Sequence, residues 1–190
     1  MKRWDIINNL IENNGYTRYL EIGVRNKGNF PKIKAKVKHG IDPVGNPTYK
    51  MTSDEFFRTQ GKGKFYDIIL VDGLHHYKQA LRDIYNSLEH LNEDGTIVVH
   101  DCNPQTKKAQ QVPRVQKLWN GDVWKAFVFL RCTNPLLKMH VIDTDHGCGI
   151  IQKGKQSIYL DAELNKCLTW KYFNKHRIEL LNLVSANEQS

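Results

Sequence analysis

Arg18-Tyr-Leu-Glu-Ile-Gly-Val-Arg-Asn-Lys-Gly28 is the stretch whose reading decides the fold. Tyr19 to Ile22 predicts a short buried strand that runs directly into a turn bracketed by Gly23 and Gly28. A turn of this kind presents backbone N–H groups and lets a ligand approach the main chain closely. Glu21, two places before the first glycine, speaks against a phosphate cradle. No Gly-Lys-Ser/Thr follows, and the spacing does not match Gly-x-Gly-x-x-Gly. A carboxylate here suits a ligand with hydroxyl or ammonium groups. An ordinary βα turn of a parallel sheet is the other reading of the same residues.

Outward from that stretch, strands alternate with helices. Upstream, Trp4, Ile7, Leu10 and Ile11 recur at helical spacing, and Asn14-Gly15 supplies a stop. Downstream, Pro31 leaves room only for a short helix before the strand Val37 to Ile41, which ends in Asp42-Pro43. Thr52-Ser-Asp-Glu55 has the form of a capping box for a short helix carrying Phe56 and Phe57. Phe65 to Val71 is a near-continuous apolar run, expected of a central parallel strand, and it ends in Asp72-Gly73. From His76 to Leu91, Ala80, Leu81, Ile84, Leu88 and Leu91 share one helical face, and Asn92 and Gly95 close it. Thr96 to Val99 predicts a further strand, ending in His100-Asp101-Cys102-Asn103-Pro104. A helical segment with Val115, Leu118 and Trp119 is expected within Val112 to Leu130. Met139 to Ile142 and Gly149 to Gln152 predict two strands joined by a polar turn, and Thr169 can cap a last helix. The pattern predicts a doubly wound α/β fold, with one domain over residues 1–190.

Composition narrows the classes. With 40% hydrophobic and 25% charged residues the chain is of ordinary globular character. No apolar run approaches membrane-spanning length and the first residues lack a signal-peptide core, so a cytoplasmic protein is expected. Cys102, Cys132, Cys148 and Cys167 include no Cys-x-x-Cys pair, which argues against a zinc site and a disulfide framework. The net charge of +8 would favour an acidic partner. Its lysines are dispersed without an aromatic-studded basic motif, so sequence-specific nucleic-acid recognition is not expected.

In a doubly wound sheet the ligand lies beyond the carboxyl ends of the parallel strands. The residues just past each predicted strand are Glu21 to Gly28, Asp42, Met51 to Asp54, Asp72 to Tyr77, His100 to Asn103, and Asp143 to His146. Asp42 is placed to accept hydrogen bonds from ribose hydroxyls. Asp72, His75, His76, His100 and Asp101 end neighbouring strands and should come within reach of one another. Carboxylate plus imidazole could bind Mg²⁺ or Mn²⁺, or a histidine could serve as general base; the two are compatible. Asp143, Asp145 and His146 could extend this cluster from the hairpin, but a solvated turn is the reading expected for them; Cys102 reads as a structural thiol.

Taken together these residues resemble the class I S-adenosylmethionine-dependent methyltransferases, and within them the methyltransferase domain 24 group. The match is carried by Tyr19-Leu-Glu-Ile-Gly-Val24 with Gly28, by Gly40-Ile-Asp-Pro43, by Asp67-Ile-Ile-Leu-Val-Asp-Gly-Leu-His-His-Tyr77, and by Gly95-Thr-Ile-Val-Val-His-Asp-Cys-Asn-Pro104. The resemblance implies a Rossmann-like seven-stranded sheet with the last strand antiparallel, which fits the Met139–Gln152 hairpin. It implies that Glu21, Gly23 and the loop through Val24 to Gly28 hold the methionine moiety of S-adenosylmethionine. Asp42 would bind the ribose, Ser53 and Asp54 would flank the adenine, and Asp72 would complete the cofactor set. Asp72 and Asp101, with His100 or Asn103, are similar in position to the Mg²⁺ ligands of some relatives. Arg25 stands where those proteins often carry a glycine.

The function this implies is O-methylation of a small-molecule or saccharide hydroxyl, with His75, His76, His100 or Asp101 handling the proton. A nicotinamide-dependent oxidoreductase is the alternative enzyme, weakened by the missing Gly-x-Gly-x-x-Gly. A non-catalytic nucleic-acid-binding protein on the same fold rests on net charge alone.

Overall fold

The computed structural model describes residues 1–25 and 28–186. Asn26 and Lys27 of the opening loop lie outside the described residues. In chain order the elements are α1 (Arg3–Asn14), β1 (Arg18–Ile22), a 3₁₀ turn (Phe30–Lys32), β2 (Val37–Ile41), α2 (Ser53–Arg58), β3 (Tyr66–Val71) and α3 (Tyr77–Glu89). There follow β4 (Leu91–Val99), α4 (Trp124–Thr133), β5 (Leu137–Ile142), β6 (Cys148–Lys153), α5 (Leu164–Cys167), α6 (Trp170–Leu181) and β7 (Leu183–Val184).

The strands form one seven-stranded sheet in the order β2-β1-β3-β4-β6-β5-β7. β2, β1, β3 and β4 pair in parallel, whereas β6 runs antiparallel to both β4 and β5. The antiparallel strand is thus the second arm of the hairpin seen in the sequence, and the two-residue β7 adds a parallel edge to β5. Period-two alternation sorts the core. Leu20, Ile22, Ile69, Val71, Ile97 and Val99 face α2, α3, α4 and α6, and Tyr19, Ile68, Leu70 and Val98 face α1. Both faces are covered, which is why β3 reads as an unbroken apolar run.

Caps account for several boundaries. Gly15 ends α1 at φ 67°, with its N–H on the Ile11 carbonyl. Thr52 Oγ1 accepts the Glu55 N–H at 3.2 Å and starts α2; Thr169 does the same for α6 through Tyr172.

Two expectations fail. Residues 112–119 are not helical; their turns lead to a helix only at Trp124, and Val115 and Leu118 are exposed. Pro113 in that stretch cannot continue a helical ladder, and Gly121 interrupts it again. β4 begins at Leu91 rather than Thr96, because Tyr66 pairs with Leu91 before the register shifts to Ile68–Thr96. No helix among the described residues is long and apolar enough to cross a membrane.

Candidate active site

The carboxyl ends of β1 to β4 open into a cleft of about 820 Å³. Its lining includes Glu21, Gly23, Val24, Gly28, Asp42, Ser53, Asp54, Asp72, His75, His100 and Asp101, eleven of the twelve residues singled out from the sequence. His76 is the exception. It is exposed, its carbonyl accepts the Ala80 N–H at the start of α3, and its ring meets Trp119 edge-on.

One end of the cleft is built from the β1 turn. Gly23 adopts φ 94°, and a Cβ there would lie 2.1 Å from the Asp72 carbonyl oxygen, so no side chain fits. Its N–H is fixed by the Ile41 carbonyl at 2.9 Å. Arg25 takes φ 39°, a left-handed conformation, in the place where a glycine is common in the resembling family. That turn aims the Arg25 N–H at Asp42 Oδ2 (2.8 Å), while the Val44 N–H reaches Asp42 Oδ1 (2.9 Å). Asp42 is thereby held at the cleft wall by backbone donors. Glu21 is 2% exposed, and burial pushes its carboxyl up to about 7. The Tyr19 hydroxyl (2.5 Å) and the Asn29 amide (2.8 Å) both donate to its Oε2 and oppose that rise.

The other end gathers charged groups from four parts of the chain. Asp72 ends β3, and Asp101 follows β4 at φ 64°, a backbone state that L residues rarely adopt. Asp72 Oδ1 lies 3.1 Å from His100 Nδ1 and 3.5 Å from His75 Nε2. Asp101 Oδ2 lies 3.1 Å from His75 Nδ1, and its Oδ1 accepts from Asn120 at 2.5 Å. Asp145, in the β5–β6 turn, is bonded by Lys2 Nζ (2.8 Å) and by Arg3 Nη1 (2.9 Å). Arg3 Nη1 also lies 3.1 Å from His100 Nε2. Arg donates only, so that contact is a hydrogen bond only while Nε2 carries a lone pair, with the ring proton on Nδ1 facing Asp72. Burial opposes a charge on His100, but Asp72 and Asp101 hold its pKa well above the usual histidine range. The protonated ring carries an N–H on both nitrogens, and Nε2 also lies 3.5 Å from Asp145 Oδ2. For His75 too, burial opposes the charge, and the Asp72 hydrogen bond and nearby carboxylates raise the pKa. Asp72 itself is held far below the ordinary carboxylate range, the neighbouring imidazoles and Arg3 outweighing its burial.

The solvated-turn expectation for the hairpin holds for Asp143 and His146, which are exposed, and fails for Asp145. The Asp145 side chain is 3% exposed and His146 lines the cleft, whereas Asp143 turns away to Asn103 Nδ2 at 2.9 Å. Asn103 also accepts from Arg177 Nη1 (2.8 Å), so it lies outside the rim. Cys102 is fully buried and burial raises its thiol pKa, as a structural role requires. Residues missed from the sequence are Arg3, Asn120 and the Lys117–Trp119 edge of the loop, all lining the cleft. Trp119 stacks on His75 at 5.3 Å and 19°, and Gly121 permits this by packing its α-carbon against the His75 carbonyl. Between Asp101 and Asp122 the sequence carries Lys107, Lys108, Arg114 and Lys117 and no acid; of these Lys117 lines the cleft, whose floor is otherwise acidic.

Asp72, His75 and Asp101 offer ligand atoms within 4.8 Å of one another, two oxygens and an imidazole nitrogen. His75 Nδ1 is buried and, although 3.1 Å from Asp101 Oδ2, is not aligned for a hydrogen bond. A divalent cation suits that donor set. His100 Nδ1, the further ligand that the resemblance suggested, lies 3.1 Å from Asp72 Oδ1 and 3.3 Å from Asp101 Oδ2.

A family model described as "Methyltransferase domain", of the methyltransferase domain 24 group, matches residues 8–102, half of the chain. The chain belongs to this methyltransferase family. Its fold is shared by solved methyltransferases. An O-methyltransferase from Bacillus cereus, solved in complex with SAH, is 11% identical, with 78% of each chain covered and a TM-score of 0.57. The O-methyltransferase TomG from Streptomyces achromogenes, in complex with SAM, is 12% identical over 80% of this chain and 79% of its own, at 0.58. MycE of the mycinamycin biosynthetic pathway, in complex with Mg, SAH and mycinamycin VI, is 14% identical, covering 80% of this chain and 48% of its own, at 0.52. No curated protein sequence matches the chain.

Proposed function

We propose that this methyltransferase transfers the methyl group of S-adenosylmethionine to a hydroxyl of a small-molecule or saccharide acceptor. The observation that carries the reading is one continuous cleft holding both the Gly23 turn with Asp42 and the Asp72–His75–Asp101 rim. When bound, S-adenosylmethionine supplies a methyl group on a sulfonium, already activated for displacement. Asp42 would accept the ribose hydroxyls, and Glu21 and the Gly23 turn would face the methionine end. Ser53 and Asp54 would flank the adenine. The acidic floor favours a cationic sulfonium electrostatically.

The rim then has to align the acceptor oxygen and remove its proton. His75 would take this role, since it is part-exposed at the cleft wall while His100 is 6% exposed and enclosed by Asp72, Asp101, Asp145 and Arg3. Its raised pKa means that the base form grows in as pH climbs above the ordinary histidine range. A divalent cation on Asp72, His75 and Asp101 would take His75 as a ligand in place of its base role, and would itself lower the acceptor's pKa and orient it; Mg in the MycE complex lends support. Four free cysteines accord with a cytoplasmic setting.

Calorimetry with S-adenosylhomocysteine, NAD⁺ and a short oligonucleotide tests the reading. Binding of S-adenosylhomocysteine alone is expected. Preferential binding of NAD⁺, or of one defined oligonucleotide sequence at raised salt, would overturn it.

A further inference from the structure

We infer that Arg3 is a resident cation of the carboxylate rim that competes with a divalent metal for Asp72. The first turn of α1 thereby sets how tightly the rim takes a metal, an inference that rests on the rim reading above. Arg3 reaches the site because the chain start is tied to the β5–β6 turn. Thr144 Oγ1 donates to the Met1 carbonyl (2.8 Å), Lys2 Nζ to Asp145 Oδ1 (2.8 Å), and the Arg3 N–H to Asp145 Oδ2 (3.1 Å). Asp5 Oδ2 accepts the Lys2 N–H at 2.8 Å and starts the helix at Arg3.

The guanidinium then lies between two carboxylates. Nη1 is bonded to Asp145 Oδ2 at 2.9 Å, and Nε lies 3.4 Å from Asp72 Oδ2. Asp72 therefore has Oδ1 facing His100 and His75 and Oδ2 facing Arg3, so no side of it is without a positive or proton-bearing neighbour. A divalent ion drawn to Asp72, His75 and Asp101 would meet a guanidinium that cannot shed its charge. Like charges at this range in a partly buried site repel strongly. Arg3 Nε is itself buried without a hydrogen bond, so the guanidinium is fastened to Asp145 and only loosely to Asp72. It is the partner in this cluster that can yield to a metal. Lys2 provides a natural contrast. It is cationic, but its side chain is 54% exposed and touches Asp145 rather than Asp72.

The test is titration of Mn²⁺ into chelator-stripped protein, followed by calorimetry and by loss of the free-ion electron paramagnetic resonance signal. Arg3→Met should bind Mn²⁺ roughly tenfold or more tightly than wild type, since it removes the competing charge. Arg3→Lys restores a cation and should stay within about threefold of wild type, as should Lys2→Met, whose charge is screened by solvent. Equal affinity in Arg3→Met and wild type overturns the inference. So does weaker binding in Arg3→Met, which would make Arg3 a support for the metal, and so does absence of Mn²⁺ binding in every variant. If Arg3→Met loses the wild-type helical circular dichroism, Arg3→Gln takes its place under the same criteria. S-adenosylhomocysteine calorimetry on the same samples keeps the two readings apart. A protein that binds no S-adenosylhomocysteine ends the proposed cosubstrate, while the Mn²⁺ comparison stands or falls by itself.

Discussion

The two ends of the cleft hold their carboxylates by opposite means. Glu21 and Asp42 are held by uncharged donors, namely Tyr19, Asn29 and the backbone N–H groups of Arg25 and Val44. Asp72, Asp101 and Asp145 are held by His75, His100, Arg3 and Lys2, alongside the neutral Asn120. Neutral donors orient a carboxylate without supplying a compensating positive charge. Cationic and imidazole partners neutralise it, and so make the Asp72–Asp101 end an ion cluster whose members depend on one another. The first arrangement suits binding of a cationic cosubstrate with ribose hydroxyls; the second suits proton handling or exchange of one cation for another.

The largest expected effect comes from opening the ion cluster. Asp72→Ala leaves His75, His100 and Arg3 facing each other, and removing one partner of a buried pair costs about 3–5 kcal/mol. Urea denaturation should show this loss at neutral pH; a loss no greater than that of a surface substitution would mean the cluster is not coupled.

Next comes Glu21, whose carboxyl rises from 4.5 to about 7 on burial. A folded-state pKa above the unfolded one favours the protonated form. The corresponding stabilisation is complete below pH 4.5 and is lost as pH rises toward 7. At most about 3 kcal/mol is involved. Glu21→Gln should remove that slope, so the stability difference between variant and wild type should move in the variant's favour between pH 4.5 and 8. Parallel stability curves would show that neutral donors already satisfy the charged form.

Asp42→Ala should weaken S-adenosylhomocysteine binding by roughly ten- to a hundred-fold, the worth of about 1.5–3 kcal/mol in lost charge-assisted hydrogen bonds. Calorimetry reads this directly, and unchanged affinity with the fold intact removes Asp42 from the ribose role. The smallest effect is at His76. It lies outside the cleft, so His76→Ala should alter stability by no more than about 0.5 kcal/mol and leave methyl transfer near wild type. An activity loss matching that of His75→Ala would erase the distinction between the two neighbouring histidines.

Much of the architecture was legible because it is locally coded. The β3 run, the Thr52 and Thr169 caps and the Gly15 stop each act over a few residues, and all appear where the sequence puts them. The helix expected around Val115 and Leu118 shows the limit. Apolar residues at helical spacing also occur in a loop whose side chains are exposed, and Pro113 and Gly121 were the better signals. Asp145 shows the reverse error, a turn aspartate that reads as solvated yet is enclosed by Lys2 and Arg3 from the far end of the chain.

By itself, the sequence determined that strands alternate with helices and that acids and histidines cluster just beyond strand ends. Strand periodicity and turn chemistry are short-range, and ligands in doubly wound sheets gather at the carboxyl edge. Only the tertiary structure decided which of those groups share a charge. Placing β6 between β4 and β5 brings the β5–β6 turn beside His100, and α1 carries Arg3 into the same space. It also separated His75 from His76, since α3 begins at Tyr77, leaving His76 exposed at its start and His75 at the cleft wall. Coulomb interactions are set by distance in space, and residues 3, 72, 101 and 145 become neighbours only once the sheet has closed around them.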